Sequence, residues 1–244
     1  MEERKRKSIL APLAPLFMVL NWVAFVGWTY VLCQLLFSLR IPAMIRRGNG
    51  DDDGSALSSS SSSSLIQLQP IVFGLECICL IEVLRIVVRD LPGNVVLGVV
   101  LHAIRFTVLT VVLPQLQQDE SIDDTFLSRA IFVSWSVTEV SRYPMYMFPG
   151  NDAPRNIRMV VPLLTFPLGA AAEAYATFTV WKLQQQSSRP AGAQLPFWQH
   201  ALLLAVLFVN SVLGPTMAYP ALLKKGLPVL GMAKQQMSTK KKKE

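Results

Sequence analysis

Glu173 stands in an otherwise apolar stretch, Phe166-Pro167-Leu168-Gly169-Ala170-Ala171-Ala172-Glu173. A carboxylate in such a setting is costly to bury and is a functional candidate by default. Seven residues of helix rise about 10 Å in nearly two turns, so positions 166 and 173 face the same way. Two groups so placed address neighbouring carbons of one extended substrate. That suits an elimination, in which a base takes one proton while an acid protonates the departing group. Glu173 can fill one of these roles. The benzene ring of Phe166 neither donates nor accepts a proton, so the second role is vacant at that position.

The densest polar string is Ser134-Trp135-Ser136-Val137-Thr138-Glu139-Val140-Ser141-Arg142-Tyr143-Pro144-Met145-Tyr146. In a helix, Glu139, Arg142, Tyr143 and Tyr146 share one face, being offset by three, four and seven residues. Lipid cannot solvate the charges, so the face must turn inward. Two readings are open: a Glu–Arg pair holding helices together, or the polar wall of a substrate cavity. Glu82 and Arg85, and His102 and Arg105, add charged or polar pairs on two further apolar segments. His102 reads as a hydrogen-bonding packing residue. Asn21 and Trp28, seven apart, share a face of the first segment, where an internal hydrogen bond is expected of Asn21. With two histidines in all and no His–carboxylate ligand spacing, no metal site is expected. Cys33, Cys77 and Cys79 lie in apolar segments and read as packing residues.

These residues need a scaffold. Over 244 residues the chain is 52% hydrophobic, and its mean hydropathy of +0.39 points to a membrane protein. A bilayer core takes roughly 20 apolar residues per helix. Six stretches meet or approach that length: about Pro15–Phe37, Leu65–Val88, Asn94–Leu116, Phe126–Phe148, Ile157–Trp181 and Phe197–Leu223. The expected fold is therefore all-α, a multi-pass transmembrane bundle of six helices. Pro144 leaves the Val140 carbonyl without its helical donor, so a kink is expected there. No internal repeat is evident, which argues against a transporter built from inverted halves.

The net charge of +7 lies largely in Arg4-Lys5-Arg6-Lys7 and Lys240-Lys241-Lys242-Lys243. No nucleic-acid motif accompanies these clusters, and no nucleic-acid partner is expected. Beside apolar spans they read as cytosolic anchors, and an even number of spans puts both termini on that side. The first apolar stretch lacks a small-residue cleavage site, so it reads as an uncleaved helix. The acidic connection at Asp119, Glu120, Asp123 and Asp124 fits the opposite side. The organisation expected is a basic cytosolic N-terminus at 1–13, a membrane domain at 14–224 and a lysine-rich cytosolic tail at 225–244. A disordered Ser/Asp loop is expected within it at about 46–64.

Trp135-Ser136-Val137-Thr138-Glu139-Val140-Ser141-Arg142-Tyr143, then Arg158 and Pro167-x-Gly169-x-x-x-Glu173, resemble the membrane 3-hydroxyacyl-CoA dehydratases of very-long-chain fatty acid elongation. These are also called the protein-tyrosine-phosphatase-like A family. Glu82, Pro92, Arg105, Asn21 and Trp28 fall at family-like spacing, so the resemblance runs from about Leu20 to Tyr175. It implies a multi-pass endoplasmic reticulum protein that dehydrates (3R)-3-hydroxyacyl-CoA to trans-2-enoyl-CoA. Its partners would be the long-chain acyl-CoA and the other elongation enzymes. It implies no cofactor, coenzyme A being part of the substrate.

The family's catalytic pair is a tyrosine and a glutamate in the fifth helix. Glu173 matches the glutamate, and Phe166 occupies the tyrosine position. Arg85 stands where many relatives have histidine, and Leu101 where they have glutamine. Three outcomes are open: an inactive paralogue acting as a membrane scaffold of an elongase complex, slow dehydration by Glu173 alone, or another phenol, Tyr143, as substitute. Glu139, Arg142, Tyr146, Arg105, Glu82 and Asn21 are the expected supporting residues. The terminal Lys241-Lys242-Lys243-Glu244 resembles a dilysine retrieval signal, which requires a cytosolic C-terminus.

Overall fold

Long apolar segments satisfy their own backbone groups as helices, and the described residues are all-α with no strand. The computed structural model describes residues 11–45, 56–88, 94–117, 124–148, 150–185 and 195–241. They form six helical rods. The first is α1 (Ala14–Ile45), entered through a 3-10 turn at Ala11–Leu13. The second is α2 (Ala56–Val87). The third joins α3 (Val95–Thr107) to α4 (Leu113–Gln117) through a π-helical stretch, Val108–Val112. The fourth is α5 (Asp124–Met147). The fifth comprises α6 (Asp152–Val160) and α7 (Pro162–Gln185). The sixth runs from α8 (Phe197–Phe208) through π-helical Val209–Ala218 into α9 (Tyr219–Lys241).

Helices run beyond the expected spans, among them the first, which continues to Ile45, and the fifth, which covers Asp152–Gln185. The second rod begins at Ala56, so the serine run Ser58–Ser64 is helical and not a loop. Serine is only mildly unfavourable in a helix, and the apolar stretch that follows carries the helix backwards through it. At the other end α9 continues to Lys241, past the expected end of the span. The basic cluster at 4–7, the first part of the Ser/Asp segment (46–55), most of the acidic connection and Pro92 lie outside the described residues. α5 runs through Pro144 to Met147 as one helix.

Four rods are long and apolar enough to cross a membrane: Ala14–Ser38, Val95–Gln117, Asp152–Gln185 and Phe197–Gly231. The other two carry charged residues within their apolar stretches, Glu76, Glu82 and Arg85 on the second and Arg129, Glu139 and Arg142 on the fourth. The rods follow the cyclic order first, second, third, sixth, fifth, fourth, and within it the third also packs on the fifth and the second on the fourth. Trp28, Val31, Val72, Val112, Phe132, Ala176 and Val180 fill the interior, while Trp22, Phe37, Leu164, Leu168, Phe208 and Met217 are exposed. Large apolar groups outside and carboxylates inside are the arrangement a lipid solvent imposes.

Prolines shape the third and sixth rods. Pro114 and Pro215 have no N–H to donate, and a π-helical turn precedes or surrounds each. In the third rod the Leu113 N–H bonds Val108 O, and the Gln69 side chain of the second rod donates to Leu109 O at 2.7 Å. The fourth and fifth rods meet closely where Gly169 faces Ser134, whose hydroxyl donates to Thr165 O at 2.7 Å. A Cβ on residue 169 would collide with Ser134 Oγ and lie 3.2 Å from its Cβ. Gly169→Ala is therefore expected to destabilise the bundle by about 1–3 kcal/mol through overpacking, read as a lowered Tm in detergent. Gly74→Ala, which meets nothing within 4 Å, should lose no stability in the same measurement.

Candidate active site

Three rods meet at a buried chain of charges. Glu76, fully buried on α2, binds His102 Nδ1 through Oε2 at 2.7 Å and Arg105 Nη1 through Oε1 at 2.6 Å. The same Arg105 Nη1 donates to Glu139 Oε1 at 2.7 Å. Glu139 Oε2 in turn lies 2.6 Å from Arg142 Nη2, which reaches Glu82 at 3.5 Å. Arg142 also donates to the Tyr143 hydroxyl at 3.3 Å, and that hydroxyl lies 3.2 Å from Cys79 Sγ. Three carboxylates thus face two guanidiniums and an imidazole, on α2, α3 and α5. An ion pair tying helices together, one of the two readings open for the Glu139 face, is present between Glu139 and Arg105.

The ligand atoms of Glu76, Cys79 and Glu139 lie within 4.8 Å of one another. The cation already shared by the two carboxylates is the Arg105 guanidinium. That guanidinium also sits over the Trp135 ring, 5.1 Å from its centroid.

Trp135 links this chain to the second feature. Its Nε1 donates to Glu173 Oε1 at 2.6 Å, and Asn210 Nδ2 donates to Glu173 Oε2 at 2.8 Å. Glu173 is buried, and its backbone carbonyl accepts from Thr177 Oγ1 at 2.7 Å. Three rods therefore fix one carboxylate: α5 by Trp135, α7 by the residue itself, and the sixth rod by Asn210 from its π-helical stretch. Both oxygens accept hydrogen bonds from neutral donors, and each keeps lone-pair capacity to take a proton.

The remaining expected residues fall as follows. Phe166 lies half-buried with its ring against Gly214 and parallel to the Tyr219 ring, centroids 6.3 Å apart and planes at 9°. Tyr143 is fully buried in the charge chain, eight residues, or about 12 Å of helix rise, from Trp135. It makes no hydrogen bond to Glu173. Tyr146 packs edge-on against Tyr143 with the Arg158 guanidinium 5.4 Å over its ring. Arg85 covers the Phe17 ring at 4.2 Å. Asn21 is half-buried and makes no hydrogen bond to any described residue. His102 does make the hydrogen bond expected of a packing residue, to Glu76.

Sequence reasoning missed Glu76 and the two donors to Glu173. Glu76 carried the same signal as Glu173, a lone carboxylate in an apolar segment, but lacked a charged neighbour three residues away. Trp135 gave none, because an indole in a membrane helix usually means packing.

The family profile of the protein tyrosine phosphatase-like (PTPLA) proteins matches residues 76–231. The chain belongs to the PTPLA family. No curated protein and no solved structure matches it. The PTPLA match begins at Glu76 and takes in the sixth rod with Asn210. It leaves out Asn21 and Trp28, on which part of the earlier resemblance rested. Every residue of the charge chain and every donor to Glu173 lies inside it.

Within this PTPLA core, removing one member of a buried pair strands its partner. Glu76→Leu leaves His102 and half of Arg105 uncompensated and is expected to cost about 3–5 kcal/mol. Thermal unfolding of the detergent-purified protein checks this.

Proposed function

We propose that the protein dehydrates very-long-chain (3R)-3-hydroxyacyl-CoA to trans-2-enoyl-CoA in the fatty acid elongation cycle. The observation that carries this reading is the Glu173 carboxylate, buried at the junction of three rods and held at both oxygens by Trp135 and Asn210. The thioester acidifies the C2 protons of such a substrate, and a fixed carboxylate is the base that removes one. Glu139, Arg142, Tyr146, Arg105 and Glu82 act as supporting residues through the charge chain, with Arg105 bearing on Glu173 through Trp135.

In this reading the acyl chain lies along the apolar bundle. The phosphates of coenzyme A meet basic groups at the cytosolic edge, among them Arg155 and Arg158. The membrane domain spans 14–224 in the endoplasmic reticulum, with both termini cytosolic and the other elongation enzymes as neighbours. The reaction moves a proton and a hydroxyl and calls for no redox cofactor.

A second reading rests on Phe166, which takes the family's tyrosine position: a catalytically impaired paralogue that serves as a scaffold in an elongase complex. An assay of the purified protein with a long-chain 3-hydroxyacyl-CoA separates the two. Turnover in the wild type, lost by about 10²–10⁴-fold in Glu173→Gln, supports the enzyme. No turnover in the wild type, but turnover gained by Phe166→Tyr, identifies the scaffold. Trp135→Phe removes one hydrogen bond to a charged group and is expected to lower kcat about 10–10²-fold, measured in the same assay.

A further inference from the structure

The end of the bundle where α5 stops and α6 begins gathers cations from two helices. Arg155 and Arg158, three apart, share a face of α6. Lys224 and Lys225 stand exposed on α9, which packs along α6. Gly226 makes that seam tight: it is buried, and a Cβ there would lie 2.8 Å from the Met159 carbonyl. Arg158 precedes Met159 and Lys225 precedes Gly226, so a cation stands one residue from the contact on each helix. Among the described residues no carboxylate pairs with Arg155, Arg158, Lys224 or Lys225.

Arg158 is held by neutral groups of the fourth rod. Its Nη1 donates to Met145 Sδ at 3.2 Å, and the guanidinium lies 5.4 Å over the Tyr146 ring. A thioether and an aromatic face fix the group and leave its charge for a ligand. Arginine and lysine together are the donors that phosphate oxygens select.

We propose that this seam docks the phosphates of the substrate's coenzyme A, with Lys224 and Lys225 facing the task beside Arg158, one pantetheine arm away from Glu173. The assignment rests on the dehydratase reading above and gives the substrate head its place. Register with Glu173 favours a nucleotide thioester over a lipid headgroup. Trp135, Glu173 and Asn210 come from the fourth, fifth and sixth rods, and so do Tyr146, Arg158 and Lys224. On the fifth rod the two levels are fifteen residues apart, about 22 Å of helix rise. From the nearer phosphorus of coenzyme A to C2 of its acyl group runs the length of five extended peptide residues, about 17 Å. The side chains of Arg158 and Glu173 cover the remainder. A phosphate on the seam and a C2 proton at the carboxylate are thus within reach of one extended molecule.

The test is equilibrium binding of coenzyme A to the full-length protein in phosphatidylcholine nanodiscs. Beside it, kcat/KM is measured for a long-chain 3-hydroxyacyl-CoA and for the matching N-acetylcysteamine thioester, which lacks the nucleotide. The double substitution Lys224→Ala/Lys225→Ala is expected to raise the Kd for coenzyme A about 10–10²-fold. It should cut the preference for the coenzyme A thioester by a similar factor. Arg158→Gln should act in the same direction, and added salt should weaken wild-type binding more than binding by the variants. Both lysines are exposed, so an unchanged Tm is expected of the double variant. Wild-type Kd and wild-type preference in the variants, with Glu173→Gln inactive, would overturn the docking site and leave the dehydratase reading intact. Loss of bound phosphatidylserine from doped nanodiscs, with coenzyme A binding unchanged, would also overturn it and mark a lipid anchor. No coenzyme A binding by the wild type would overturn it outright. Binding weakened by the lysine substitutions in a protein without turnover would support the site and sink the dehydratase reading.

Discussion

A guanidinium shared between two carboxylates in a medium without water is the interaction on which this bundle depends. Arg105 touches Glu76 from the second rod and Glu139 from the fourth while standing on the third. None of the three side chains can turn outward, because lipid offers an ion no solvation. Their mutual satisfaction therefore dictates which faces of three helices point inward. Apolar packing alone specifies this poorly in a bilayer, where a leucine facing lipid is nearly as well solvated as one facing protein.

From that fixed point the geometry propagates to the candidate site. The Arg105 guanidinium lies over the Trp135 ring, and the indole edge then meets Glu173. The charge chain and the carboxylate that would do chemistry are thus separate clusters joined through one aromatic ring. The ring lets the cation influence the placement of Glu173 without neutralising it by direct pairing. The donors that do touch Glu173, an indole and an amide, carry no charge.

Much of this was legible in the residues. Six apolar stretches gave six rods, and the offsets among Glu139, Arg142, Tyr143 and Tyr146 gave an inward face. What stayed hidden was whatever depends on contacts between rods. The partner of Arg105 is Glu76, 29 positions away, and no local spacing announces it. Asn210 is a polar residue in the sixth apolar stretch, and nothing in its local spacing announces that it donates to Glu173. The serine run at 58–64 read as a loop because its composition is that of solvated chain, whereas the helix that follows extends through it.

The absent side chain at Gly169 has a consequence beyond close packing. It lies four residues before Glu173, so both occupy one stripe of α7. The notch it leaves receives Ser134, immediately before the indole that grips Glu173. Residue 169 thus works as a detent that sets the sliding position of one rod on the other. A slip of a single residue would rotate position 173 by about 100° and carry its charge toward the hydrocarbon.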